Sequence, residues 1–195
     1  MSARARRECA HFSVFYRPGS PAEAALDAIC ADQEACYARV AAALGVEMEK
    51  KIRLCLCDSR AALAAETGCP PANALTLDVD LIHAVYGPDS KYEGPHEVAH
   101  ILSYQIAIPE SLFLREGLAM HFDGAWHGEK NDQAAARILR EHPEISLPAL
   151  MDNAAFEALP DGITYPLAGA FATSYIEEHG MDAYLALYRS GKRAR

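Results

Sequence analysis

The segment His96-Glu97-Val98-Ala99-His100 constrains this chain more than any other, because on a helix its two imidazoles can serve one ion. Residues four apart on a helix stand one above the other, so His96 and His100 project toward a common point. Zinc accepts neutral imidazole nitrogen and keeps an open position when three protein groups bind it. Glu97, the next residue along, can reach water at such a position without ligating the ion, which is the placement of a general base. Gly94-Pro95 directly precedes the motif, and proline is tolerated in a first helical turn, where its missing N–H has no partner to lose. Val98, Ile101 and Leu102 supply an apolar face, so the pattern predicts a buried helix from about Pro95 to Gln105.

Two histidines leave a zinc site one ligand short. A metzincin-type continuation needs glycine at position 103 and histidine at 106, where this chain carries Ser103 and Ile106, and that class is excluded. Sixteen residues beyond His100 lies Glu116, within Leu114-Arg115-Glu116-Gly117-Leu118-Ala119. A second helix returned by the short loop Ala107-Ile108-Pro109 could bring this carboxylate back to complete a His2Glu set.

A His-Glu-x-x-His helix followed by Arg-Glu-Gly-Leu-Ala resembles the gluzincin metallopeptidases, above all their small single-domain members with a peptidase MA-like core. The resemblance is carried by about Pro95 to His121. It implies Zn2+ held by His96, His100 and Glu116, with Glu97 as general base. It also implies an oxyanion-stabilising Tyr or His from downstream, for which Tyr165 is the candidate; the alternative is a tyrosine that anchors a helix in the core. Tyr165 is read as standing at the start of a helix opened by Pro166 and closed by Gly180. Two departures from the family are visible. No Gly-x-Met-Glu-Asn segment is present to hold a substrate's free amine, which disfavours an exopeptidase. Met120 stands where thermolysin-like members carry an aspartate, and Asp123 is the substitute or is simply solvated.

Other chemistry-bearing residues read as bland. Arg115 is a second electrophile or pairs with a carboxylate. His121 lies off the Glu116 face, and His127 sits in a Gly/Asp/Asn-rich loop from Asp123 to Asp132. His11, His83, His142 and His179 have no partner at ligand spacing and receive no role.

The chain of 195 residues suits one domain, 1–195, with a sheet-containing part at about 8–107 and a helical part at about 108–190. Strands come first and helices after, which is the order of an α+β fold. With the resemblance, this becomes a zincin-like domain: a small mixed or antiparallel sheet and an active-site helix, then a helical C-terminal half. Expected elements are a strand at His11 to Tyr16, and a long helix opened by a Ser20-Pro21-Ala22-Glu23 capping box and ended at Gly45. A buried strand at Ile52 to Cys57, a helix at Arg60 to Thr67 and a strand at Ala74 to Val79 follow. Leu81 to Tyr86 reads equally as strand or helical turn. The strand at Leu75 to Val79 is the expected edge along which an extended substrate backbone would pair.

A net charge of −9 makes nucleic acid a poor partner, leaving the basic ends Arg4-Arg6-Arg7 and Lys192-Arg193-Arg195 as solvated tails. No stretch reaches membrane-spanning length and no secretory signal is visible, so cytoplasmic is the default. The six cysteines are then expected as thiols, with disulfides reopened if the protein is exported. The expected activity is zinc-dependent hydrolysis of peptide bonds in a peptide or protein substrate, endopeptidase-like. The reading from another class is a non-catalytic zinc-binding or partner-binding module, and a non-peptide metallohydrolase shares the same ligand set. Substrate preference, latency and oligomeric state are not encoded in any motif of this chain.

Overall fold

The computed structural model describes residues 4–88 and 90–190. The fold is α+β, divided into two compact units, Met1–Gln105 and Ile106–Arg195.

The first unit is built on a mixed sheet. Its elements are strands β1 (Ala5–Glu8) and β2 (Phe12–Tyr16), helices α1 (Pro21–Ala24) and α2 (Leu26–Leu44), strand β3 (Ile52–Cys57), helix α3 (Arg60–Thr67), strands β4 (Ala74–Asp78) and β5 (Leu81–Val85), and helix α4 (His96–Tyr104). The order across the sheet is β1-β2-β3-β5-β4, antiparallel at both margins and parallel through β2-β3-β5. Alternation along β3 sets up two faces. Ile52, Leu54 and Leu56 point to one side and are almost wholly buried, as are Ile82 and Ala84, which pair with Leu54 and Leu56. Burying each such side chain stabilises the unit by about 1.5–3 kcal/mol. Cys55 and Cys57 point to the other side, where Cys57, Val85 and Leu63 of α3 form a small apolar cluster.

Local signals explain the helix limits. Ser59 accepts from the Ala62 backbone N–H and caps α3, and Gly68, at φ 73°, ends it in the left-handed region that glycine enters without a Cβ penalty. Leu26, Ile29, Tyr37, Val40 and Leu44 form the buried stripe of α2, which ends at Gly45 as expected. The ambiguous segment after Val79 is strand β5.

Three expectations are corrected. The basic N-terminal segment is not a solvated tail: Arg6 and Arg7 lie inside β1, whose antiparallel pairing with β2 satisfies its backbone. The Ser20 side chain makes no cap bond, and helix α1 closes after four residues at Ala25; Glu23 instead accepts from the Gly19 N–H at 2.7 Å. Cys9 and Cys30 are joined in a disulfide, so not all six cysteines are thiols. The turn between β1 and β2 carries Cys9 over α2, with a Cα–Cα distance of 6.0 Å that suits the bond. Cys36, Cys55, Cys57 and Cys69 remain free. The second basic end, Lys192 to Arg195, lies outside the described residues.

The second unit is helical: α5 (Leu112–Asp123), a hairpin of β6 (Ala125–Trp126) and β7 (Glu129–Lys130), α6 (Asn131–Glu141), a 3-10 turn at Leu147–Met151, α7 (Asn153–Glu157), α8 (Asp161–His179) and α9 (Met181–Ser190). Its core joins Phe113 of α5, Ala134 and Ile138 of α6, Phe156 of α7, and Leu167 and Ala168 of α8. Helices α5 and α8 approach so closely at Gly117 that a Cβ there would lie 2.8 Å from the Ala168 carbonyl oxygen. The buried Tyr184 hydroxyl donates to the Leu114 carbonyl at 2.9 Å and ties α9 to α5.

Two further corrections concern this unit. The expected loop at Asp123 to Asp132 contains the β6-β7 hairpin, turned by His127 (φ 48°) and Gly128 (φ 87°), the paired positive φ values that a two-residue hairpin favours. Helix α8 starts at Asp161, not at Pro166, so Tyr165 lies inside the helix. Pro166, the sixth residue of α8, lies past the first turn and withholds the N–H that the Gly162 carbonyl would otherwise accept.

Candidate metal centre

Helix α4 is set by its neighbours before it begins. Gly94 takes φ 90°, its N–H donates to Asp32 of α2 at 3.2 Å, and its carbonyl accepts from Gln33 Nε2 at 3.3 Å. The turn before Pro95 is thereby anchored to α2, and the Ala99 N–H to Pro95 carbonyl bond of 2.8 Å starts the helix. On that helix the His96 and His100 rings meet edge to face at 4.9 Å between centroids, and His100 stacks on Tyr104 at 5.8 Å. The i, i+4 reading of the motif is therefore realised as a pair of adjacent imidazoles, of which His100 is buried.

Glu97 is only 7% exposed, deep for a carboxylate. The Thr76 hydroxyl of β4 donates to Glu97 Oε2 at 2.7 Å, fixing one oxygen of the carboxylate and tying it to the edge strand. The register of β4 against β5 slips by one residue between Thr76 and Asp78, an irregularity of the kind that re-aims side chains beside sites. Strand β4 is the outer strand at its margin of the sheet, as expected of the Leu75 to Val79 segment, although β5 intervenes in sequence before the motif helix.

Glu116 lies in α5, capped at its start by the Ser111 hydroxyl, and is 6% exposed. A carboxylate this deep needs compensating positive charge, and Arg115 supplies part of it, donating from Nε to Glu116 Oε1 at 3.2 Å. Arg115 thus follows the carboxylate-pairing alternative. Glu116, Arg115 and Tyr165 line one cavity of about 280 Å3 together with Leu112, Phe156 and Asp161. Tyr165 packs against Trp126 at 5.3 Å and Phe156 at 6.1 Å between ring centroids, so it combines a core contact with a place beside Glu116.

A second group of ligand-type side chains occupies the first unit: Cys57, Glu66 and His83, whose ligand atoms all lie within 4.8 Å of one another. His83 pairs with Cys55 across β3 and β5, and so shares the sheet face of Cys57 that α3 covers with Glu66. Burial pushes the His83 imidazole below its ordinary range and the Cys57 thiol above its own; a hydrogen bond from Arg4 opposes the latter. Sequence spacing gave no hint of this group, because its members come from three elements that only the sheet register assembles.

The remaining histidines have ordinary surroundings. His11 meets Glu34 at 2.6 Å and stacks on Tyr37, His121 meets the Thr173 hydroxyl at 2.9 Å, and His142 meets Glu144 at 3.3 Å. Among the described residues no helix is long and apolar enough to cross a membrane. The chain matches no family model, no curated protein and no solved structure.

Proposed function

We propose that this protein is a zinc-dependent peptide hydrolase of gluzincin type on a zincin-like fold, with His96, His100 and Glu116 holding the ion. The observation that carries the reading is the α4 arrangement: two adjacent imidazoles beside a buried Glu97 whose carboxylate is oriented by Thr76. Two imidazoles and a carboxylate are a donor set that suits a hydrolytic zinc site. Zinc, when bound, lowers the pKa of water to about 7 and polarises a carbonyl oxygen.

The protein's own residues supply the rest. Glu97 Oε1 is the oxygen that Thr76 leaves available, and it takes the proton of the attacking water and returns it to the leaving amine. Tyr165, which lines a cavity with Glu116, is the group that would donate to a developing oxyanion. The β4 edge presents backbone donors and acceptors to an extended peptide, and its bond to Glu97 links the strand that would read the substrate to the base that acts on it. Reading through backbone carries little sequence preference, and the missing Gly-x-Met-Glu-Asn segment favours an endopeptidase mode.

Metal analysis of the purified protein beside His96→Ala and Glu116→Ala tests the ligand set. Each variant is expected to hold one equivalent of tightly bound zinc fewer than the wild type, and to fail to cleave a mixed peptide library that the wild type cuts at internal bonds. Undiminished zinc in Glu116→Ala would remove the third ligand from the proposal. Intact zinc with no cleavage of any peptide would favour a non-catalytic role for the site.

A further inference from the structure

We propose a second, separate metal site, a thiolate-bearing one for a zinc-type divalent cation, formed by Cys57, Glu66 and His83 on the α3-covered face of the sheet. It shares no residue with the α4 motif. The first support is distance. One ligand atom from each of the three residues lies within 4.8 Å of the other two, and His83 Nδ1 lies 3.5 Å from Glu66 Oε1. A tetrahedral ion with bonds of about 2.0–2.3 Å places neighbouring ligand atoms roughly 3.3–3.6 Å apart, so the His83–Glu66 separation matches one edge and the group closes on an ion with small side-chain shifts.

The second support is His83 itself. The residue is 8% exposed, and its buried Nδ1 makes no hydrogen bond among the described residues while facing the Glu66 carboxylate. A buried ring nitrogen without a hydrogen-bond partner is costly, and ligation removes that cost. Access is the third. Cys57 and Glu66 open onto a cavity of about 480 Å3 bordered by Arg4, Arg17 and Asp58, which gives an ion an entry path and solvent a fourth coordination position.

Arg4 is the competing cation. Its guanidinium donates to Glu66 Oε2 and, at 3.5 Å, to Cys57 Sγ. Oε1, the oxygen nearer His83, is left for the metal, and a guanidinium donating to a ligating thiolate lowers that thiolate's charge without displacing it. Binding converts the Cys57 thiol to a thiolate and releases one proton to solvent, so charge and atoms balance. Thiolate with imidazole favours zinc and its soft or borderline analogues over magnesium or calcium.

The probe is cobalt(II) alone, added to the full chain with its free thiols reduced. A thiolate ligand gives cobalt a ligand-to-metal charge-transfer band in the near ultraviolet, which a His2Glu site cannot produce. We expect that band in the wild type, undiminished in a His96→Ala/His100→Ala double variant, absent in Cys57→Ser, and shifted at least 10-fold toward higher cobalt in Glu66→Gln. Because Glu66 is at the surface, Glu66→Gln leaves the core intact and keeps the test meaningful if Cys57→Ser folds poorly. A wild type lacking the band, or a Glu66→Gln titration superimposable on the wild type's, overturns the site. Loss of the band in the α4 double variant would also overturn it as an independent site, whereas failure of the hydrolase proposal alone leaves the band unchanged.

Discussion

The two faces of the five-stranded sheet carry ligand-type residues by opposite means. On the side of Leu54, Ile82 and Thr76, one helix presents both histidines of α4, and their separation is fixed by helical geometry alone. On the opposite side, Cys57, Glu66 and His83 come from β3, α3 and β5, and their proximity depends on strand register and on how α3 is capped. The helical pair is hard to disturb without unfolding α4. The three-element group is contingent, and small changes in α3 reach it. The chemistry differs as well: neutral imidazoles bind without losing a proton, whereas a buried thiol must surrender one.

Three substitutions sharpen or break this contrast. Glu97→Gln keeps the shape of α4 and removes the base, so turnover of a cleaved peptide should fall about 10²–10⁴-fold with zinc content unchanged. Equal turnover would detach Glu97 from the chemistry. Thr76→Val deletes the hydroxyl that holds Glu97 Oε2 at 2.7 Å, and kcat should drop about 10-fold, a loss of roughly 1.4 kcal/mol. Steady-state kinetics beside metal analysis distinguishes that orienting role from damage to the metal group, which would lower zinc content too. Gly68→Ala has open space around its new Cβ and pays only for the left-handed backbone at φ 73°, about 1 kcal/mol in a urea titration. It should fray the turn that carries Glu66 and weaken the thiolate-dependent cobalt band a few-fold while leaving α4 untouched. Equal weakening on both faces would mean that they are not independent.

What could be read in advance follows the same division. Strand β3 and helix α3 are legible to the residue, because the apolar run Ile52 to Cys57 and the glycine stop at Gly68 are local, whereas the Ser59 cap emerges only in the structure. The motif helix was legible for the same reason. The neighbours of His83 are not legible, because a histidine on a strand acquires them from register, which no spacing along the chain encodes. The Cys9–Cys30 link is hidden for a similar reason: a hairpin turn places Cys9 over α2, and the first strand of that hairpin is a run rich in arginine. Two prolines compete to open α8, and Pro160, in an extended conformation, holds the position before the helix while Pro166 lies within it.

That cross-link has a consequence for where the chain can work. It closes a ring spanning a sequence separation of 21, which by the loop-entropy account restrains the unfolded chain by about 3 kcal/mol. In surroundings rich in glutathione that contribution would be surrendered, and in oxidising ones retained. The durability of the sheet-bearing half is thus coupled to its chemical milieu, through two sulfur atoms.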